Sequence, residues 1–216
     1  MRVLILCCTA LLLGGCAGSS ATVVKPAGGP SIAEAQAAPA QGPQRRIAVS
    51  GFDARAGGGA VGRGMSDMLV AALFDSGRFI VLERERLDEV TAEQDLGNSG
   101  RFRQDTVAPR GELEGAELLV RGAITVFEPD CKGASVLIAS TRQACVTLNL
   151  RIIDAATGRI VNATTVEGSS VNRGVGFLYA RSDLPIGLGA YSNTPMEQAI
   201  RAAIDAAVAH IVNTRL

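Results

Sequence analysis

A period of two running from Val171 to Tyr191 limits this chain more than any other stretch. Val171, Val175, Phe177 and Tyr179 stand at alternate positions, and after Arg181-Ser182-Asp183 the alternation resumes on Leu184, Ile186, Leu188 and Ala190. Side chains two apart share one face of a strand, so the pattern predicts two strands joined by a polar turn. With the turn on Arg181-Ser182, Tyr179 faces Leu184, Phe177 faces Ile186 and Val175 faces Leu188. Asn172, Gly174, Gly176, Gly187 and Gly189 fall on the other face. Each arm approaches the roughly 9–11 residues that a tilted strand needs to cross a bilayer. A half-buried soluble hairpin carries the same signature, so the compartment has to decide between them.

The amino terminus supplies the compartment. Met1-Arg2 precede an apolar run over residues 3–13 and then Gly14-Gly15-Cys16, which gives a basic start, a short apolar segment and small residues before a cysteine. The run is too short to span a membrane as a helix. Leu13-Gly14-Gly15-Cys16 looks like a bacterial lipobox, with residues 1–15 a signal peptide and Cys16 the lipidated first residue of the mature chain. Two or more acyl chains there make a stable anchor. An Asp after the cysteine would signal retention at the inner membrane; Ala17 stands in its place, and the expected address is the outer membrane with the main domain in the periplasm.

Residues 16–44 then read as the lipidated cysteine and a flexible Ala/Pro/Gly tether, too poor in large apolar groups to order itself. The folded domain is expected over residues 45–216. Its apolar content allows one core of ordinary size, and the balance of 21 basic against 21 acidic residues offers nothing to a nucleic acid. Of the five cysteines, Cys7 and Cys8 leave with the leader and Cys16 takes the lipid. Cys131 and Cys145 remain. An oxidising periplasm permits a disulfide between them, and their spacing fits the two arms of a hairpin; two independent buried thiols satisfy the sequence as well.

Along the domain, residues 47–52 read as a strand, 56–64 as a glycine-rich loop, and Met65, Met68, Leu69, Ala72 and Leu73 as one face of a helix stopped by Ser76-Gly77. A strand over 79–82 and a polar helix over 86–94, with Leu87 and Val90 inward, complete a β-α-β-α opening. Residues 96–110 read as a loop and 112–117 as a helical turn. Strands follow over 118–127, 146–153 and 160–166, and Thr194-Pro195 caps a last helix whose Met196, Ile200, Ile204, Ala207, Val208 and Ile211 form a stripe. The fold class is an α/β (α+β) body with two β-hairpin insertions, at about 127–146 and 168–192. The first alternates more weakly, since Lys132, Arg142 and Gln143 interrupt Val136 and Ile138.

One run imitates an enzyme motif. Gly57-Gly58-Gly59-Ala60-Val61-Gly62 matches G-x-G-x-x-G between a strand and a helix, and Glu83 ends the next strand where a ribose-binding acid would sit. Residues 53–56 separate strand from glycines where a tight turn is wanted, and the later strands look antiparallel, so no dinucleotide cofactor is expected. A P-loop fails because Arg63-Gly64 follow Gly62. His210 is expected to interact with the dipole of the last helix, Ser66 with Asp67 to serve a helix amino terminus, and Glu83, Glu85, Asp88 and Glu89 with Arg84 and Arg86 to form a solvated face. No catalytic group, metal site or cofactor emerges.

Several segments taken together resemble a family. Arg46-Ile47-Ala48-Val49-Ser50-Gly51-Phe52, residues 68–73 leading to Arg78-Phe79-Ile80-Val81-Leu82-Glu83-Arg84, residues 115–122, 146–151, Thr157-Gly158-Arg159-Ile160 and Tyr191-Ser192-Asn193-Thr194-Pro195 look like the curli-secretion-channel (CsgG/HfaB) family of outer-membrane lipoproteins. The resemblance covers about residues 45–216. It implies a periplasmic domain whose copies form a ring, each giving two β-hairpins to one barrel that exports unfolded adhesin or fibre subunits without nucleotide hydrolysis, together with accessory secretion proteins. The membrane-facing residues would be Val175, Phe177, Tyr179, Leu184, Ile186 and Leu188. The channel constriction would fall on the loop holding Gly57, Gly58, Gly59, Ala60, Val61 and Gly62, where the Tyr and Asn-Phe of the curli channel are absent. That departure, and hairpins that look shorter, lean toward the holdfast branch. The alternative is a periplasm-facing lipoprotein of the same fold that binds and regulates an envelope enzyme without forming a pore.

Overall fold

The computed structural model describes residues 18–23, 43–136, 139–173 and 184–214. The elements are β1 (Gly18–Val23), β2 (Arg45–Ala54), α1 (Gly59–Asp75), β3 (Phe79–Leu82), α2 (Leu87–Gly97), a 3-10 turn (Gln104–Thr106), β4 (Leu118–Val136), β5 (Ala139–Asp154), β6 (Ile160–Arg173), a 3-10 helix (Ile186–Tyr191) and α3 (Pro195–Asn213). They build one mixed sheet in the order β1-β6-β5-β4-β2-β3. β2 runs parallel to β3 and to β4, whereas β4, β5, β6 and β1 are successively antiparallel. Parallel neighbours need a crossover of about a dozen residues or more, which α1 supplies between β2 and β3.

Alternation sets the layers. Val146, Leu148, Leu150 and Ile152 of β5 are buried together with Val166 of β6 beneath the stripe of α3, and Val61, Met65, Leu69 and Leu73 of α1 join the same core over β2 and β3. Each such side chain, fully buried, contributes about 1.5–3 kcal/mol. The intervening positions Arg121, Thr125 and Arg151 point to the opposite face, which is exposed. The sheet thus has helices on one face and solvent on the other, as antiparallel sheets commonly do.

The helix ends follow their sequence signals. Ser76 Oγ donates to Leu73 O at 2.6 Å and Gly77 takes φ 63°, closing α1 as Ser76-Gly77 predicts. At α3, the N-cap Thr194 Oγ1 accepts from Glu197 N at 3.4 Å, and the Glu197 carboxylate reaches back one residue further to accept from Asn193 N at 2.6 Å, ahead of Pro195 at the first helical position.

Several expectations are corrected. The tether over 16–44 contains β1, because Gly18–Val23 pairs residue by residue with β6 from Val171 to Val166. Small and β-branched residues can take an edge position through backbone bonds alone. Residues 112–117 hold no helical turn, and Val90 of α2 is exposed instead of inward. The second arm of the 171–191 hairpin is not a strand: Leu184-Pro185 are irregular and Ile186–Tyr191 is a 3-10 helix. Its period-two pattern lost to tertiary packing, since Leu188 is fully buried in the core and Ile186 is fully exposed. Val175, Phe177 and Tyr179 lie outside the described residues.

Candidate functional site

Five features converge on one end of the sheet, the end where β2, β4 and β6 finish and β1 and β5 begin. The first is the β4–β5 hairpin, whose strands are far longer than residues 118–127 and 146–153 suggest and pair out to Val136 and Ala139. It is broken by a bulge: between the Glu128–Cys145 and Lys132–Gln143 pairs, β4 has Pro129, Asp130 and Cys131 where β5 has Ala144 alone. Proline removes a ladder donor and extra residues bend a strand, so the hairpin changes direction here. Cys131 and Cys145 are disulfide-bonded across this bulge with Cα atoms 5.8 Å apart.

The second feature is β6, which pairs with β5 as far as Arg173 opposite Thr141. The third is β1, whose first residue, Gly18, stands opposite Val171. Cys16 lies two residues before Gly18 in the chain, outside the described residues. The fourth is the 3-10 helix. Tyr191 meets Phe127 of β4 edge-to-face with ring centroids 4.9 Å apart, and Leu188 packs on α1.

The fifth is the turn between β2 and α1, and here the sequence reading is corrected. Of Gly57, Gly58, Gly59, Ala60, Val61 and Gly62, only the first two are outside the helix, because α1 begins at Gly59. Val61 is buried in the core. Glycine is a poor helix former, which is why propensity places this run in a loop. Close packing explains why it is helical: a methyl group on Gly62 would lie 2.9 Å from Phe52 O, and one on Gly64 would lie 2.7 Å from Leu188 Cγ. The exposed turn at the hairpin end is therefore limited to about residues 55–58, held by Ala56 N donating to Ile124 O at 3.2 Å.

The acids that could suggest catalysis are engaged with neighbouring groups, and the other candidates are buried. Glu83 Oε1 accepts from Arg84 N at 2.8 Å and Arg86 N at 3.0 Å, so the acid at the end of β3 orders its own elbow. Asp67 pairs with Arg86 at 3.3 Å, and Ser66 is buried in α1. His210 is buried instead of capping a helix end with charge: its Nε2–H donates to Asn162 Oδ1 at 2.9 Å, and burial holds its pKa below the ordinary value. Among the described residues no cluster of acids, histidines or cysteines can hold a metal ion, and no helix is long and apolar enough to cross a membrane. Sequence reasoning missed the bulge, although Pro129 followed by Asp130 inside a strand pattern was a signal for it.

Comparison with known proteins assigns the family. The curli production assembly/transport component CsgG of Salmonella typhimurium is 28% identical over 171 residues, and that of Escherichia coli K12 is 29% identical over 172. Each alignment takes in 71% of this chain, and the chain spans 62% of the length of these curated relatives. Among solved structures, the PelC dodecamer of Paraburkholderia phytofirmans is similar with a TM-score of 0.41 at 14% identity, covering 92% of this chain and 100% of that one. A hypothetical protein from Chlamydia trachomatis gives 0.47 at 13% identity, covering 79% and 96%. At these scores neither likeness bears on function. The sequence profile described as curli production assembly/transport component CsgG matches residues 30–216, and the chain belongs to that family.

Proposed function

We propose that this chain is an outer-membrane lipoprotein, lipidated at Cys16, whose copies form a ring that passes unfolded adhesin or fibre subunits toward the cell surface without an enzymatic step. Accessory secretion proteins would meet it in the periplasm. Family membership supports the class of function. The observation that carries the placement is the register of β1: Gly18 opposite Val171 tethers Cys16 at the same end of the sheet as the β4–β5 hairpin and the exit of β6. One end would then hold the lipid, both hairpin segments and the turn over residues 55–58, which we assign to the constriction in place of the longer loop. Cargo of the curli or of the holdfast type fits this arrangement equally.

A second reading has its own observation. Beyond the bulge the β4–β5 ladder holds five described pairs, Lys132–Gln143 to Val136–Ala139. At about 3.4 Å per residue this is roughly 17 Å, less than the apolar band of about 25 Å on an outer-membrane barrel. A lipid-anchored protein that binds an envelope enzyme at this end without crossing would need no more. Single-channel recording on full-length lipidated protein in planar bilayers separates the two. Stable conductance steps are expected for the channel; silent bilayers at protein densities that give visible particles would favour the non-crossing lipoprotein.

A further inference from the structure

A ring needs two different surfaces on each copy, because a self-complementary patch closes a dimer whereas a head-to-tail contact closes a ring. Two surfaces of this chain are not accounted for by a single copy. The first is α2. An isolated helix of its eleven residues is marginal in water, and short helices normally draw their stability from packing. Its inward stripe is only partly covered: Leu87, Thr91 and Gln94 are half-buried and Gly97 is buried, where a methyl group would lie 3.1 Å from Val107 Cγ1. Glu89, Glu93 and Leu96 fall on one stripe by helical spacing. Leu96 is 44% exposed, and neither carboxylate has a cation partner among the described residues.

The second is the uncovered face of the sheet. Arg121 of β4 stands directly opposite Arg151 of β5. Like charges facing each other across two strands are destabilising. Asp53 answers Arg121 at 3.0 Å, but Arg151 has no carboxylate partner among the described residues. Continuing across the sheet, Arg151 pairs with Ala163 of β6, next to which Val161 is 47% exposed. The row therefore runs cation, cation, apolar.

Resting on the ring reading, we infer that α2 of one copy lies across the open sheet face of the next, with Glu89 on Arg121, Glu93 on Arg151 and Leu96 on the Ala163–Val161 edge. The spacings agree. Side chains three or four apart on a helix are about 5–6 Å from one another, and opposed side chains on adjacent strands about 4.5–5.5 Å. The contact supplies Arg151 with its missing carboxylate and covers the outward face of α2. It is heterologous, so successive copies repeat it around a ring.

Mass photometry of the full-length protein extracted in detergent tests this, with circular dichroism confirming that each variant keeps its fold. Arg151→Glu and Glu93→Arg are each expected to raise the concentration for half-assembly at least tenfold, and the two together are expected to return it to within about threefold of the unaltered protein. If the unaltered protein forms rings and Arg151→Glu forms them equally well, the docking is wrong and the ring stands. Loss in both single variants without recovery in the pair also overturns the docking. If the unaltered protein is a single copy at every concentration, the ring and the docking fall together.

Discussion

Gly64 of α1 and Leu188 of the 3-10 helix interlock, so that a methyl group on the glycine would stand 2.7 Å from Leu188 Cγ. This slot explains why a run rich in glycine is helical and why the expected second strand is not one. Gly64→Ala is expected to destabilise the domain by about 1–3 kcal/mol, since overpacking outweighs the gain in helix propensity. Leu188→Ala, which empties the slot, should cost about 2–5 kcal/mol. Urea unfolding followed by circular dichroism reads both. A Gly64→Ala protein more stable than the parent would mean that the slot has slack.

Ile186 and Leu188 are predicted from the sequence to share one face, but Leu188 is fully buried and Ile186 is 103% exposed. Asp at Ile186 is therefore expected to leave stability within about 0.5 kcal/mol, as at ordinary surface positions. Asp at Leu188 places an unpaired charge in the core and should prevent folding. Equal behaviour of the two variants in the same unfolding assay would contradict the 3-10 packing.

The bulge and its disulfide make a separate prediction. Cys131 and Cys145 are 14 residues apart, and a crosslink closing a loop of about that size contributes roughly 3 kcal/mol. Cys131→Ser with Cys145→Ser should lower the unfolding midpoint in urea accordingly. Intact mass of the full-length protein after alkylation without reductant should show neither thiol modified, and two alkylated thiols would refute the bridge.

Much of the body was legible in the sequence because its signals were local. The last helix declared itself through Thr194-Pro195 and a stripe from Met196 to Ile211, and Ser76-Gly77 marked the end of α1. The alternation of Val146, Leu148, Leu150 and Ile152 located β5. What was not legible depended on partners distant in the chain. Gly62 and Gly64 are helical because Phe52 and Leu188 press against them, and Gly18–Val23 is a strand because β6 offers it an edge. The candidate site was half legible: the sequence singled out Cys131, Cys145 and the two hairpin insertions, whereas the convergence of β1, the bulge and the 55–58 turn on one end of the sheet is a property of register. The register of β4 shifts at Pro129-Asp130-Cys131, and alternation alone could not follow it.

Stability should fall on mild acidification through His210. Burial depresses its pKa below the ordinary 6.5, so in that range the unfolded chain binds a proton that the folded chain refuses. Stability from this residue is complete above about pH 6.5 and declines as pH falls through that value. Asp205 acts in the opposite sense over a lower window, since burial raises its pKa above 3.8 against the opposing charge of Arg201, and its contribution is lost as pH rises through the raised value. His210→Gln, which can still donate to Asn162, is expected to flatten the decline below pH 6.5 in thermal unfolding. An unchanged slope would assign the decline to other groups.

The central claim is that copies of this chain form a ring at the outer membrane with the hairpin end of the sheet toward the lipid. Electron microscopy of full-length particles extracted from outer membranes in detergent tests it most directly. Closed rings with an axial opening are expected, the detergent belt lying at the end of each subunit where Gly18 pairs with Val171 and the β4–β5 hairpin extends. Single copies without a ring, or a belt at the opposite end of the sheet, would contradict it.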